Sequence, residues 1–151
     1  MFHVRKILFP TDFSSYSTQA YFHALGLAEN YRAQLVVAYV FTPGHEGQTE
    51  ADRGFWKAQL ERVRPSNPRI PVSHVFLEGD PAREIVRYAA EAGVDVVVMG
   101  THGRTAAERA LMGHTAEQVL REAPCSVLVV KMPKGMTACE PTLVALADRA
   151  G

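Results

Sequence analysis

Apolar and polar positions along the chain alternate between two periods, and the switches between them mark out the elements. Lys6 to Pro10 is a short apolar run stopped by proline, which predicts a first strand. Thr11, Asp12, Ser14 and Ser15 follow, with side-chain oxygens suited to capping a helix. From Tyr16 to Tyr31, Ala20, Ala24, Leu27 and Tyr31 recur at helical spacing and predict the buried stripe. Gln34 to Phe41 is apolar almost throughout, the pattern of a strand covered on both faces in a parallel sheet. Beyond a polar loop from Thr42 to Thr49, Gly54 to Arg64 predicts a helix with Trp56, Leu60 and Val63 on one face, ended by Pro65 to Pro68. Val72 to Leu77 reads as a third strand. Asp80 and Pro81 then open a helix as cap and first position, with Ile85, Ala89 and Ala92 on one face and Gly93 at its end. Val94 to Met99 is the fourth strand. Gly100 to Gly113 is a long connection holding a short helical piece from Thr105 to Leu111. A helix from Ala116 to Ala123 stops at Pro124, and Ser126 to Val130 is the fifth strand.

Strands alternating with helices imply parallel strands joined by right-handed crossovers. A single doubly wound α/β domain over residues 1–131 accounts for all of them. Residues 132–151, which begin with Pro133 and Gly135 and could place Leu143, Val144 and Leu146 in one short helix, read as an appended C-terminal tail. The 151 residues suffice for one domain with a substantial core. Lysine plus arginine balance aspartate plus glutamate at 16 each, so the chain lacks the basic surplus that nucleic-acid and anionic-membrane binding use. No apolar run approaches the length of a membrane span, and the N-terminus lacks the pattern of a cleaved leader, so the cytoplasm is the expected compartment. The two cysteines, Cys125 and Cys139, form neither a metal motif nor a disulfide framework.

Ligands of open α/β sheets gather where the strand order reverses, at the carboxyl ends of the strands. Two loops are placed for that: Pro10 to Ser15, and Gly100 to Thr115. The second runs Gly100-Thr101-His102-Gly103, then nine residues, then Gly113-His114-Thr115. Glycines let backbone N–H groups approach a phosphate, and the last glycine stands before a helix whose free N–H groups favour an anion. Thr115 to Gln118 also fits a capping box, with Thr115 as cap and Gln118 reaching back. The segment is neither a Walker A loop nor a dinucleotide fingerprint. On spacing alone it reads as a phosphate cradle or as two ordinary turns.

At these residues the sequence resembles the universal stress protein family. Lys6 to Ser14 is similar to the family's opening strand and turn, Asp95 to Gly103 to its fourth strand and glycine turn, and Pro124 to Val130 to its closing strand. The resemblance covers residues 3–131. It implies a Rossmann-like five-stranded parallel sheet flanked by helices, a homodimer that meets along Ser126 to Val130, and ATP, with Mg2+, or a related adenine nucleotide as ligand. An apolar edge strand needs covering or pairing, which favours the same dimer. The ATP-binding members carry Gly-x2-Gly-x9-Gly followed by serine, threonine or asparagine. Gly100, Gly103 and Gly113 match, whereas His114 stands at the small polar position and Thr115 follows it.

By the same correspondence Pro10, Thr11 and Asp12 line the site, Asp12 near the ribose or a metal-bridged phosphate, and Val40 and Met99 lie near the base. Local sequence leaves Asp12 equally readable as a helix cap, and Val40 and Met99 as core. Arg104 and Arg109 are within reach of phosphates from the loop or are ordinary surface arginines. His102 and His114 have no metal-ligand spacing, and Cys125 reads as a packed small residue. No nucleophile elbow, positioned general base or arginine-lysine clamp is visible, so any ATP hydrolysis is expected to be slow. The functions left are a nucleotide-responsive stress or regulatory protein, a dimeric interaction module of the same fold that binds no nucleotide, and a slow ATP-hydrolysing enzyme.

Overall fold

The computed structural model of the chain describes residues 3–101 and 113–131. Five strands, β1 (Lys6–Pro10), β2 (Gln34–Phe41), β3 (Val72–Glu78), β4 (Val96–Gly100) and β5 (Ser126–Val130), alternate with α1 (Ser15–Tyr31), α2 (Arg53–Glu61), α3 (Pro81–Ala92) and α4 (His114–Glu122). All strands pair in parallel, in the order β3-β2-β1-β4-β5. This is the expected doubly wound sheet. The expected short helix from Thr105 to Leu111 and the tail 132–151 lie outside the described residues.

The two-residue strand period divides the core. Ile7, Phe9, Leu35, Val37 and Val98 pack on the side covered by α1 and α2, through Ala20, Tyr21, Ala24 and Leu60. Leu8, Val36 and Val97 pack on the side covered by α3 and α4, through Ile85, Ala89, Ala116 and Val119. Ile7, Leu8 and Phe9 of β1 have no exposed surface at all. Each such side chain contributes about 1.5–3 kcal/mol of transfer free energy. In the ladder Ile7 stands between Leu35 and Val96, and Leu8 between Val36 and Val97.

Local chemistry sets the helix ends. Ser14 caps α1, its hydroxyl accepting from the Ser17 N–H at 3.3 Å. Asp80 caps α3 by accepting from the Arg83 N–H at 3.1 Å, Pro81 occupies the first turn, and Gly93 ends the helix in the left-handed region at φ 66. These agree with the sequence. The buried stripe of α1 agrees at Ala20 and Ala24 and departs from the expectation at its other members. It runs through Ser17, Ala20, Tyr21, Ala24 and Ala28, while Leu27 is only half-buried and Tyr31 is 43% exposed. Ala20, Ala24 and Ala28 follow one another at four-residue steps, so the row facing the sheet consists of the smallest side chains and leaves the bulkier Tyr31 outside. β4 begins at Val96 and not Val94. The Val94 N–H is taken by the Ala89 carbonyl, and the Asp95 carboxylate accepts from the Arg5 and Lys6 N–H groups at 2.8 and 3.0 Å. α2 ends at Glu61, and Val63, although fully buried, lies beyond it.

Two glycines give predictions of opposite sign. A Cβ on Gly100 would lie 2.9 Å from the Tyr16 carbonyl oxygen, because the end of β4 presses against the first turn of α1. Gly100→Ala should therefore destabilise by about 1–3 kcal/mol through forced backbone shifts. A Cβ on Gly26, within α1, meets nothing within 4 Å. Gly26→Ala should stabilise by about 0.5–1 kcal/mol. Urea denaturation of both variants checks the pair.

Tyr21 generates a pH prediction. Its ring packs 5.5 Å from that of Phe9, and its buried hydroxyl finds no hydrogen-bond partner among the described residues. Burial pushes the phenol up to about 12 from 10.0. The folded state thus holds this proton more tightly than the unfolded chain does. The corresponding stability is intact below pH 10 and is lost as pH rises towards 12, by about 2–3 kcal/mol in all. Tyr21→Phe should be at least as stable as the native chain at pH 7, and its advantage should widen from pH 10 to 12 in denaturation midpoints.

Candidate functional site

β1 passes the chain outward to β2 and β3, after which it returns to β4 on the other side of β1. The loops that leave β1 and β4 therefore diverge, and a crevice opens at their carboxyl ends. There the described residues enclose a cleft of about 750 Å³. Pro10 lines it from the end of β1, Thr11 and Asp12 from the turn that follows, Val40 from β2, Met99 and Gly100 from β4, and Gly113, His114 and Thr115 from the cap and first turn of α4. These candidates, scattered through the sequence, thus meet around one cavity. His102, Gly103, Arg104 and Arg109 lie outside the described residues.

The turn after β1 is tightly tied. Thr11 is buried, and its N–H donates to the Ala38 carbonyl at 2.8 Å. Its Oγ1 accepts from the Phe13 N–H at 2.9 Å and from the Ser17 hydroxyl at 2.6 Å. One carboxylate oxygen of Asp12 accepts from the Ser14 N–H at 3.0 Å. Asp12 is therefore not the cap of α1, a role that Ser14 fills; it folds the turn and borders the cleft. Phe13 sits in the left-handed region at φ 65. For a residue with a Cβ this costs about 1–2 kcal/mol, so its surroundings must hold it there. Its buried ring stacks 5.3 Å from Tyr39 and 5.7 Å from Trp56.

Across the cleft, α4 starts two residues earlier than its sequence pattern suggests. The Gly113 N–H donates to the Thr101 carbonyl at 2.6 Å, and the Gly113 carbonyl accepts the first helical bond from Glu117. Gly113 thus takes the capping position, with no side-chain cap, and Thr115 lies within the first turn. The expected capping box is absent. Gln118 instead donates to the Glu122 carboxylate, one turn onward, at 3.1 Å. A helix start without a side-chain acceptor leaves N–H groups and a positive dipole end for an anion.

The cavity is chemically two-sided. Val40, Ala82, Ile85 and Met99 offer apolar surface, whereas Asp12, Glu46 and Asp80 bring carboxylates, and His45 and His114 imidazoles. An apolar wall with a few placed polar groups suits a small organic ligand carrying polar substituents. No group of three potential metal ligands occurs among the described residues. Cys125 is half-buried, and burial, then the nearby Asp95 charge, push its thiol up, as befits a packed and unreactive sulfur.

The sequence reading missed the contribution of the loops after β2 and β3, where His45, Glu46, Gln48 and Asp80 reach the cavity. The signal was available. Both loops leave the carboxyl ends of strands, yet Thr42 to Thr49 carries no motif and Asp80 is fully explained as a cap.

Comparison with known proteins adds three kinds of likeness. The model of the universal stress protein family matches residues 3–131. A universal stress protein of Methanocaldococcus jannaschii is 37% identical over 142 residues, covering 86% of this chain and 84% of that protein. A solved universal stress protein in complex with cAMP aligns at a TM-score of 0.64 and 26% identity, over 83% of this chain and 96% of its own. One from Archaeoglobus fulgidus, solved in complex with dAMP, aligns at a TM-score of 0.65 over 87% of this chain and 100% of its own; at 20% identity this likeness concerns the fold alone. No helix among the described residues is long and apolar enough to cross a membrane.

Proposed function

The chain belongs to the universal stress protein family, and on that premise we propose that the cleft between the ends of β1 and β4 binds an adenine nucleotide. The carrying observation is the start of α4, which opens into the cavity at Gly113 without a side-chain cap. In this reading the phosphates lie against Gly113, His114 and Thr115, the base slots between Val40 and Met99, and the ribose hydroxyls face Asp12, a carboxylate being a natural acceptor for them. Gly100, His102, Gly103 and Arg104 complete the cradle from the connecting segment. ATP with Mg2+ is the candidate ligand in the cell, and a relative at 26% identity solved with cAMP supports the adenine class.

The same reading makes the protein a nucleotide-responsive regulator of the stress-response type. The ligand acts by binding one state of the cleft more tightly than another, and any turnover is slow. The protein is a homodimer through β5. That strand is the sheet edge, with Leu128 38% exposed and Val127 and Val129 half-buried in the lone protomer.

One variant separates binding from folding. His114 is an exposed first-turn residue of α4. His114→Glu puts negative charge where the helix dipole welcomes it, so stability should hold or rise slightly. The same charge repels a phosphate and should weaken AMP or ATP–Mg2+ binding by about tenfold in titration calorimetry. Absence of binding by the native chain up to millimolar nucleotide, together with no nucleotide released from the purified, denatured protein, would reject the proposal. So would equal affinity in the Glu variant.

A further inference from the structure

Three aromatic residues meet at the cleft: Tyr39 belongs to its wall, and Phe13 and Trp56 pack behind it. Phe13 stacks on Tyr39 and Trp56 as described, and Tyr39 and Trp56 lie 5.4 Å apart with planes 17° from parallel. The rings come from three elements: Phe13 from the turn after β1, Tyr39 from β2, and Trp56 from α2. Their polar edges hold the loop after β2. The Tyr39 hydroxyl accepts from the buried Gln48 amide at 2.6 Å, and the Gln48 carbonyl oxygen accepts from the Thr42 N–H at 3.1 Å. The Trp56 indole N–H donates to the Gly47 carbonyl at 2.7 Å.

Each end of this assembly therefore meets one wall of the cleft. At one end Phe13, in its left-handed conformation, adjoins Asp12 in sequence. At the other, Gly47 and Gln48 adjoin His45 and Glu46. Asp12, Tyr39, His45, Glu46 and Gln48 all line the cavity, whereas Phe13 and Trp56 do not. Stacked rings transmit displacement because close-packed interiors have no free volume to absorb it.

We infer that the Phe13–Tyr39–Trp56 stack, tied through Gln48, is a positioning element that sets the spacing between the Thr11–Asp12 turn and the His45–Gln48 loop. A strained Phe13 backbone is held in place by ring packing, and the turn bearing Asp12 is held with it. The coupling of the two walls is a property of the unliganded protein. Its consequence for affinity rests on the nucleotide reading given above: the packing of Phe13 and Trp56, outside the cavity, against Tyr39 of its wall tunes how tightly a nucleotide is held.

The test uses the full chain and two variants, Trp56→Ala and Trp56→Phe. In the unliganded protein, amide hydrogen exchange is followed in segments 11–17 and 42–49, with α3 as reference. Trp56→Ala should speed exchange in 11–17 by about tenfold relative to α3, although its indole bonds to the other loop, and Trp56→Phe should restore most of the protection. Faster exchange confined to 42–49, or equal across the chain, overturns the inference. In calorimetric titration with AMP, Trp56→Ala should lose about tenfold in affinity and Trp56→Phe should stay near the native value. Native affinity in Trp56→Ala would overturn the positioning role. Failure of the native chain to bind any nucleotide would reject the proposed function alone, since the exchange measurement decides the coupling without a ligand. Trp56 is the chain's single tryptophan, so its emission gives a second readout of the same stack during titration.

Discussion

The structure depends on the burial of β1 from both sides. Ile7, Leu8 and Phe9 have no exposed surface, so helices must cover both faces of the strand, and strands must flank both edges. A chain that obeys right-handed crossovers meets this demand by winding outward from β1 through β2 and β3, then returning to place β4 and β5 on the other edge. The crevice between the departing loops follows directly. The cleft is thus a consequence of how the core is closed, and what remains specific to this chain is how its rim is furnished.

The rim combines a helix start with carboxylates and apolar side chains. Gly113 presents the start of α4 with its dipole and no side-chain cap, while Asp12, Glu46 and Asp80 place carboxylates on other parts of the wall. A simple anion would gain from the first and lose to the second. A ligand with an anionic end, a hydroxyl-bearing middle and a flat apolar end suits both, and a nucleotide has that layout. Close packing keeps the two sides in register: Gly100 lets the end of β4 lie against Tyr16 of α1, and Thr11 gathers Phe13 and Ser17 around its hydroxyl.

Much of this was legible in the sequence, and the gaps have physical causes. The strands were readable because burial on both faces leaves unbroken apolar runs, as in Gln34 to Phe41. Asp80, Pro81 and Gly93 fixed α3 because each has a distinct backbone role. The start of α4 precedes its sequence pattern because its anchor, the bond from Gly113 to Thr101, joins it to a distant strand end that no local pattern reveals. Tyr31 shares the helical spacing of Ala20 and Ala24 yet stays exposed, because spacing alone does not say which of two neighbouring rows faces the sheet. The aromatic stack was invisible for the same reason: Phe13, Tyr39 and Trp56 come together only when three elements pack, and no periodicity links them.

The central claim is that a nucleotide occupies the crevice between β1 and β4, and mapping amide chemical shifts of the labelled protein during titration with AMP tests it most directly. The account expects saturable shifts concentrated at Thr11 and Asp12, at Val40, at Met99 to Thr101 and at Gly113 to Thr115, with the outer turns of α2 and α3 unmoved. Shifts centred away from those strand ends, or no saturable shift at millimolar AMP, would contradict it.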